Sequence, residues 1–187
     1  MAANDDAVRA QYLSFSLRGT EYAVGILKVK EILQYEQTTR VPSTPRSVRG
    51  VINLRGQVVP VVDLAAKFGL GETEPTPFTC ILIVEAAVEG NSLVVGIMAD
   101  SVQEVIELGG DDVEPPPSFG TNVRVDFLLG MGKLGKRFVL LLDIDRVISA
   151  DEKEFAREVA AAEQAAPEEA AAVTEAPPPA DATAPRA

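Results

Sequence analysis

The first feature that could do chemistry is a group of arginines at the centre of an acidic chain. The formal net charge of the 187 residues is −11, yet no acidic residue lies between Glu36 and Asp63. Within this window lie Arg40, Arg46, Arg49 and Arg55. Gly56 follows Arg55 directly, and glycine tolerates the positive φ of a tight corner. We expect Arg55 to be displayed at that corner, either as a solvated turn residue or as a group that recognises a partner.

Histidine is absent, which removes much of the chemistry on which enzymes depend. The chain has no imidazole to act as a general base, a metal ligand or a phosphoryl carrier. Asp143 and Asp145 have no third ligand nearby, and this spacing is more typical of a helix cap than of a metal site. We therefore predict no catalytic residue, no metal and no cofactor. A carboxylate-based enzyme remains the alternative from a different functional class.

The single cysteine, Cys80, excludes an internal disulfide and fits a reducing cytoplasm. Its neighbours Ile81–Val84 are apolar, which predicts a buried strand thiol rather than a reactive one. The longest apolar stretch, residues 93–99, has about seven residues, whereas a membrane span needs about 20. The negative charge argues against nucleic acid. We expect a cytoplasmic protein with no nucleic-acid partner and no direct membrane insertion.

The last 37 residues, 151–187, differ in composition from the rest of the chain. They contain 14 alanines, five prolines, nine acids and three basic residues. Residues 151–166 could form a helix, but the segment beyond Pro167 lacks an apolar face and is predicted to be disordered. The composition therefore divides the chain into a domain over residues 1–150 and a tail over residues 151–187.

Alternating apolar residues predict short strands in the first 150 residues. Leu13, Phe15 and Leu17 share one face of a strand, and a turn at residues 18–21 leads to a return strand from Tyr22 to Ile26. Residues 79–85 and 93–99 form a second predicted hairpin. The apolar run that ends at Asp63 leads into a short helix, residues 64–68, for which Asp63 is the predicted N-cap. These elements predict an all-β fold with short helices.

Two sequence patterns occur twice in the same order, which suggests an internal duplication. Val24-Gly25-Ile26, followed by Glu31, recurs as Val95-Gly96-Ile97, followed by Glu104. The glycine corner and apolar strand that end at Asp63-Leu64 recur with Gly135 and Asp143-Ile144. Two five-stranded barrels of about 70 residues each would fit this repeat, with halves over roughly residues 10–78 and 79–150.

The repeated region contains motifs that closely resemble those of the CheW family of bacterial chemotaxis coupling proteins. The resemblance covers roughly residues 10–150, and the motifs occur in the family order. They are Ile26-Leu27-Lys28-Val29-x-Glu31-Ile32 and Pro45-x4-Gly50-Val51-x-Asn53-Leu54-Arg55-Gly56-x3-Pro60-x-Val62-Asp63-Leu64. The acidic tail departs from the minimal family pattern.

The resemblance implies two intertwined SH3-like barrels and an adaptor without catalytic activity. Such a protein joins the cytoplasmic tip of a chemoreceptor to the regulatory domain of a CheA-type histidine kinase, in receptor arrays at the inner membrane. The receptor tip lies in the groove between the barrels, with Arg55 paired to Glu31. Positions that match family receptor contacts are Val29, Glu31, Ile32, Gly50, Arg55, Cys80 and Val105.

The resemblance also implies a kinase contact at Phe119, which follows the prolines at positions 115–117. An aromatic side chain near rigid prolines suits an interface anchor, although it could equally fill the edge of a core. An alternative within the same class is a coupler for a chemosensory pathway that does not control flagella.

Overall fold

The computed structural model describes residues 9–116, 118 and 123–165, and these residues are mostly β-structure. The helices are α1 (Leu64–Lys67), α2 (Ile144–Val147) and α3 (Ala150–Ala165). The strands are β1 (Ala10–Leu17), β2 (Thr20–Gly25), β3 (Val29–Gln34), β4 (Val48–Leu54), β5 (Gln57–Asp63), β6 (Cys80–Val88), β7 (Asn91–Ala99), β8 (Ser101–Leu108), β9 (Val113–Glu114), β10 (Leu128–Leu134) and β11 (Arg137–Leu142). None of the helices among these residues is long and apolar enough to cross a membrane.

The strands form two sheets, and each sheet draws strands from both halves of the sequence. One has the order β8-β1-β2-β11-β10-β9, and the other has the order β3-β6-β7-β5-β4. The predicted all-β fold with two intertwined barrel-like sheets is therefore confirmed. One sheet has six strands rather than the expected five, because the two-residue strand β9 pairs with β10. Neither sheet is built from one half of the sequence alone, because each sheet combines strands from residues 10–78 with strands from residues 79–150.

The predicted duplication is visible in the topology. The two sheets correspond strand by strand, since the order β3-β6-β7-β5-β4 of one matches the order β8-β1-β2-β11-β10 of the other. The parallel pairs match as well, because β5 pairs with β7 and β11 pairs with β2. Each repeat therefore contributes its hairpin to one sheet and its remaining strands to the other.

Three apolar clusters hold this arrangement together. The largest lies between the sheets, and a smaller one lies within the curve of each sheet. Strand β11 shows how one strand serves two clusters: Val139 and Leu141 belong to a small cluster, whereas Leu140 and Leu142 belong to the large one. Side chains alternate between the two faces of a strand. A strand that is buried on both faces is therefore almost continuously apolar, as β5 and β11 are.

The short helices begin where the sequence predicts. The Asp63 carboxylate accepts hydrogen bonds from the backbone N–H groups of Ala65 and Ala66, at 3.0 and 3.2 Å. Asp143 caps α2 in the same way and accepts from the N–H of Asp145 at 3.1 Å. The prediction that these aspartates act as N-caps is therefore confirmed.

Helix α3 packs against β5 and β7, so the start of the compositional tail belongs to the folded body. Its Glu152 accepts from the N–H of Ser149 at 2.8 Å, which satisfies one of the free N–H groups at the helix start. The Glu152 carboxylate also contacts Lys67 Nζ at 2.8 Å and the hydroxyl of Ser47. The helix was foreseen, but its docking was not, because a buried ion pair between α1 and α3 has no local sequence signal. The expected disorder beyond residue 167 concerns residues outside the described part of the chain.

We predict that Glu152→Gln lowers the free energy of unfolding by about 3 kcal/mol, because it leaves the Lys67 ammonium without a countercharge in a buried site. The side chains of Glu152 and Lys67 are only 1% and 10% exposed. Urea unfolding of the variant measures the effect. Glu154→Gln, at an exposed position of the same helix, is the matched control. Equal stability of the two variants would contradict a structural role for the buried pair.

Candidate functional site

A salt bridge between Glu31 and Arg55 is at the centre of the candidate site. Arg55 Nη2 lies 2.8 Å from Glu31 Oε2. Glu31 belongs to β3, at one edge of the five-stranded sheet, and Arg55 follows β4, at the other edge. The ion pair therefore joins the two edges of the sheet, and the predicted pairing of these residues is present in the structure.

The Glu31–Arg55 ion pair is better placed for recognition than for stability. The Arg55 side chain is 79% exposed and that of Glu31 is 24% exposed. An exposed pair of this kind stabilises a fold by only about 0–1 kcal/mol. The guanidinium has five N–H donors, so it can hold Glu31 and still donate to a partner.

The backbone fixes the position of Arg55 tightly. Leu54 pairs with Gln57, so Arg55 and Gly56 form a two-residue turn in which φ is +52° and +87°. Positive φ at both positions is typical of a type I′ hairpin turn. The Asn53 side-chain oxygen accepts from the N–H of Gly56 at 2.8 Å. Positive φ costs a non-glycine residue about 1–2 kcal/mol, which fits an arginine kept at this corner for its side chain.

Gly50 belongs to the scaffold of the site rather than to its surface. It is buried, its φ is +151°, and an added Cβ would come far too close to the carbonyl oxygen of Thr39. Thr39 and Val51 exchange two backbone hydrogen bonds, at 2.8 and 2.9 Å. The absence of a side chain at Gly50 therefore lets residue 39 lie against β4. The expected receptor contact at Gly50 has no exposed group to make it.

Two exposed apolar side chains lie on equivalent edge strands of the two sheets. Ile32 on β3 is 46% exposed and Val105 on β8 is 49% exposed. Ile32 pairs with Leu82 and Val105 pairs with Leu13, and both partners belong to the large cluster between the sheets. Because paired residues lie on the same face of a sheet, Ile32 and Val105 extend the face that the sheets share. Val29 is half-buried and packs against the same cluster.

Cys80 is buried in β6, as the sequence predicts. The thiol is 3.9 Å from the carbonyl oxygen of Ala99, and burial raises the pKa of Cys80. A buried thiol with a raised pKa is a poor nucleophile. The resemblance places a receptor contact at Cys80, but in this structure its side chain is covered by the core and offers no surface to a partner.

An ion pair between Lys28 and Asp145 fixes the turn that precedes β3. Lys28 Nζ lies 2.9 Å from Asp145 Oδ2, and the N–H of Ala87 donates to Asp145 Oδ1 at 2.7 Å. Burial alone would raise the pKa of Asp145, but the Ala87 N–H and the Lys28 ammonium together lower it below its ordinary value. The turn that precedes β3 is thereby tied to both α2 and β6.

One exposed apolar surface has no signal in the sequence. The predicted return strand runs to Ile26, but β2 ends at Gly25, and residues Ile26–Lys28 form a 3-10 turn. This turn points Leu27 outward, so its side chain is 96% exposed. Leu27 and Leu129 line a groove of about 540 Å3 together with Tyr12 and Ile26. An apolar residue inside a strand-like pattern gives no signal that it faces solvent.

The described residues bring together no cluster of three or more cysteine, aspartate and glutamate side chains that could hold a metal ion. Asp143 caps α2, and Asp145 is the partner of Lys28. Phe119 lies outside the described residues, so its role stays a prediction.

Comparisons with known proteins agree with the motifs. The model of the CheW-like domain matches residues 11–152. The Chemotaxis protein CheW of Klebsiella aerogenes is 36% identical over 155 residues, which cover 83% of this chain and 91% of that protein. The CheW of Rhizobium meliloti is 32% identical over 78% of this chain and 92% of its own length. The crystal structure of the scaffolding protein TtCheW from Thermoanaerobacter tengcongensis superposes with a TM-score of 0.68 and 28% identity, and covers 81% of this chain and 96% of that one.

The lowered pKa of Asp145 leads to a pH-dependent prediction. The ionised carboxylate stabilises the fold above its ordinary pKa of 3.8, and this contribution is lost as the pH falls through the lower pKa of the folded state. We expect Asp145→Asn to reduce the free energy of unfolding at pH 7 and to make progressively less difference in acid.

Urea unfolding of the parent protein and of the Asp145→Asn variant, measured at pH 7 and at successively more acidic pH values, checks the prediction. Asp126→Asn removes a carboxylate that is 75% exposed and should have little effect at any pH. A stability loss from Asp145→Asn that is the same at neutral and acidic pH would show that its charge is not what matters.

Proposed function

This chain belongs to the CheW family of chemotaxis coupling proteins, and we propose that it joins the cytoplasmic tip of a chemoreceptor to a CheA-type histidine kinase. In this role it is an adaptor that catalyses no reaction and needs no cofactor. The observation that carries the proposal is the Glu31–Arg55 ion pair, held on a rigid corner beside an exposed apolar residue, Ile32. Apolar contact area with a charged rim is typical of protein–protein interfaces.

We assign receptor binding to the side chains of Arg55, Glu31, Ile32 and Val105. The two apolar residues supply area that a partner can bury, and the ion pair supplies directional hydrogen bonds. Val29 lies on the same face of β3 as Ile32 and packs against the large cluster. Gly50 and Cys80 contribute only through the backbone and the core, because both are buried.

We assign the kinase contact to Phe119, and we propose that the regulatory domain of the kinase is the partner that binds there. The support for this part of the proposal is the family resemblance and the prolines that precede Phe119 in the sequence. Both partners place the protein in the cytoplasm, in receptor arrays at the inner membrane, where it is held by protein contacts rather than by insertion into the lipid.

We predict that Arg55→Glu weakens receptor binding at least tenfold while the protein stays folded. The substitution places a second acid beside Glu31 and removes the exposed guanidinium, and loss of a central arginine from an interface typically costs about 2 kcal/mol. Co-sedimentation with receptor-bearing membranes measures binding, and thermal unfolding measures stability.

Arg157→Glu is the matched control, since Arg157 is an exposed arginine of α3 that is also paired with a glutamate, Glu89, at 2.8 Å. Adding Glu31→Arg to Arg55→Glu tests whether the two side chains act as a pair, through a double-mutant cycle. Unchanged receptor binding by a folded Arg55→Glu protein would rule out this surface as the receptor site.

A further inference from the structure

A second ion pair lies on the other sheet, on the strand that corresponds to β3. Arg137 Nη2 lies 2.5 Å from Glu104 Oε1 on β8, and Arg137 Nη1 lies 3.3 Å from Glu21 Oε2 on β2. The Arg137 side chain is 50% exposed and that of Glu104 is 57% exposed. This cluster is therefore open to a partner, as the Glu31–Arg55 pair is.

The two ion pairs occupy equivalent places in the repeat. Glu104 and Val105 follow Glu31 and Ile32 by the same 73 positions. In both sheets the glutamate lies on an edge strand, the next residue is exposed and apolar, and the arginine comes from the hairpin at the opposite side of the sheet.

The arginines themselves do not align in sequence. Arg55 lies within its turn, before Gly56, whereas Arg137 is the first residue after the turn formed by Gly135 and Lys136. Two different turns thus place a guanidinium beside the equivalent edge glutamate, Glu31 in one sheet and Glu104 in the other. The two surfaces therefore share an ion pair at the edge strand, although the two arginines are not at equivalent positions of the sequence repeat.

The two surfaces differ in charge. Glu31 and Arg55 balance each other, whereas Arg137 faces two carboxylates, Glu21 and Glu104. Within the described part of the chain, Glu21 Oε1 is the one buried side-chain oxygen or nitrogen that lacks a hydrogen-bond partner. The second surface therefore carries an excess of negative charge that one guanidinium does not neutralise.

We infer that Glu104, Val105 and Arg137 form a second half-site for the receptor tip, and that this half-site receives a basic side chain of the receptor. The inference rests on the proposed function and adds Glu104 and Arg137 to it. The family resemblance implies a groove between the two barrels. Two equivalent walls, one with Glu31 and Arg55 and one with Glu104 and Arg137, would accept a helical segment in either direction. The charge difference between the walls selects one direction, because a basic residue gains more from the wall with two carboxylates.

The test measures the affinity of the full-length protein for a soluble hairpin fragment of a chemoreceptor tip. Glu104→Gln removes one of the two carboxylates and is expected to weaken binding by about 3- to 10-fold, and Glu104→Lys by more, because it repels the basic residue. The loss should shrink as NaCl is raised from about 50 to about 500 mM, since salt screens exposed charges.

Glu114→Gln is the matched control, because Glu114 is a partly exposed glutamate of the same sheet that pairs with Lys133 at the far edge. It should bind like the parent protein. Melting temperatures of all variants confirm that each one is folded.

The outcomes separate this inference from the proposed function. If Arg55→Glu abolishes binding while both Glu104 variants bind like the parent protein, the second half-site is wrong and the receptor site at Arg55 stands. Tighter binding by Glu104→Gln would overturn the inference as well, since the partner residue would then be acidic. If neither Arg55 nor Glu104 affects binding, both the inference and the receptor site fail.

Discussion

The structure depends on one constraint: the large apolar cluster between the sheets can form only when both halves of the sequence exchange strands. Each hairpin, β1–β2 or β6–β7, lies between two strands of the other repeat, β8 and β11 or β3 and β5. Strands β5 and β11 lie in the middle of their sheets and are buried on both faces, so they cannot be solvated in an isolated half. Hydrophobic burial is the main driving force of folding, and here it also sets the topology.

This arrangement leaves exposed apolar side chains on one edge strand of each sheet. The strands in the middle of the sheets are covered by the core, whereas the edge strands β3 and β8 carry Ile32 and Val105. The inward face of each edge strand extends the shared core to the surface at Ile32 and Val105. The opposite face carries a glutamate that is held by an arginine from across the sheet. The apolar centre and the charged rim of the candidate site thus arise from the alternation of side chains along two strands.

Local elements of this fold could be predicted from the sequence, and distant pairings could not. The hairpins, the helix after Asp63 and the caps at Asp63 and Asp143 depend on residues that lie close together in the chain. The Glu31–Arg55 pair was expected because the family resemblance supplied it; spacing alone would not have joined residues on opposite edges of a sheet.

The exchange of strands was expected only because the family resemblance implies intertwined barrels. It leaves no local pattern, because a strand has the same period whichever neighbour it pairs with. Two other features escaped prediction for physical reasons. The exposure of Leu27 depends on a 3-10 turn of only three residues. The docking of α3 depends on the buried Glu152–Lys67 pair, whose members are 85 residues apart. The resemblance implies receptor contacts at Gly50 and Cys80, but a match in sequence does not distinguish a residue that touches a partner from a buried one that shapes the surface.

The exchange of strands also has a consequence for synthesis on the ribosome. Strands β3, β4 and β5 are made early, yet two of their neighbours in the sheet, β6 and β7, come later. Strand β1 must wait for β8, and β2 must wait longer still, until β11 has been made. Contacts between distant parts of a chain form slowly, and unpaired edges aggregate readily. The nascent protein therefore carries unpaired strands until nearly the whole chain has emerged, and the second of its two sheets is completed only at the end of synthesis.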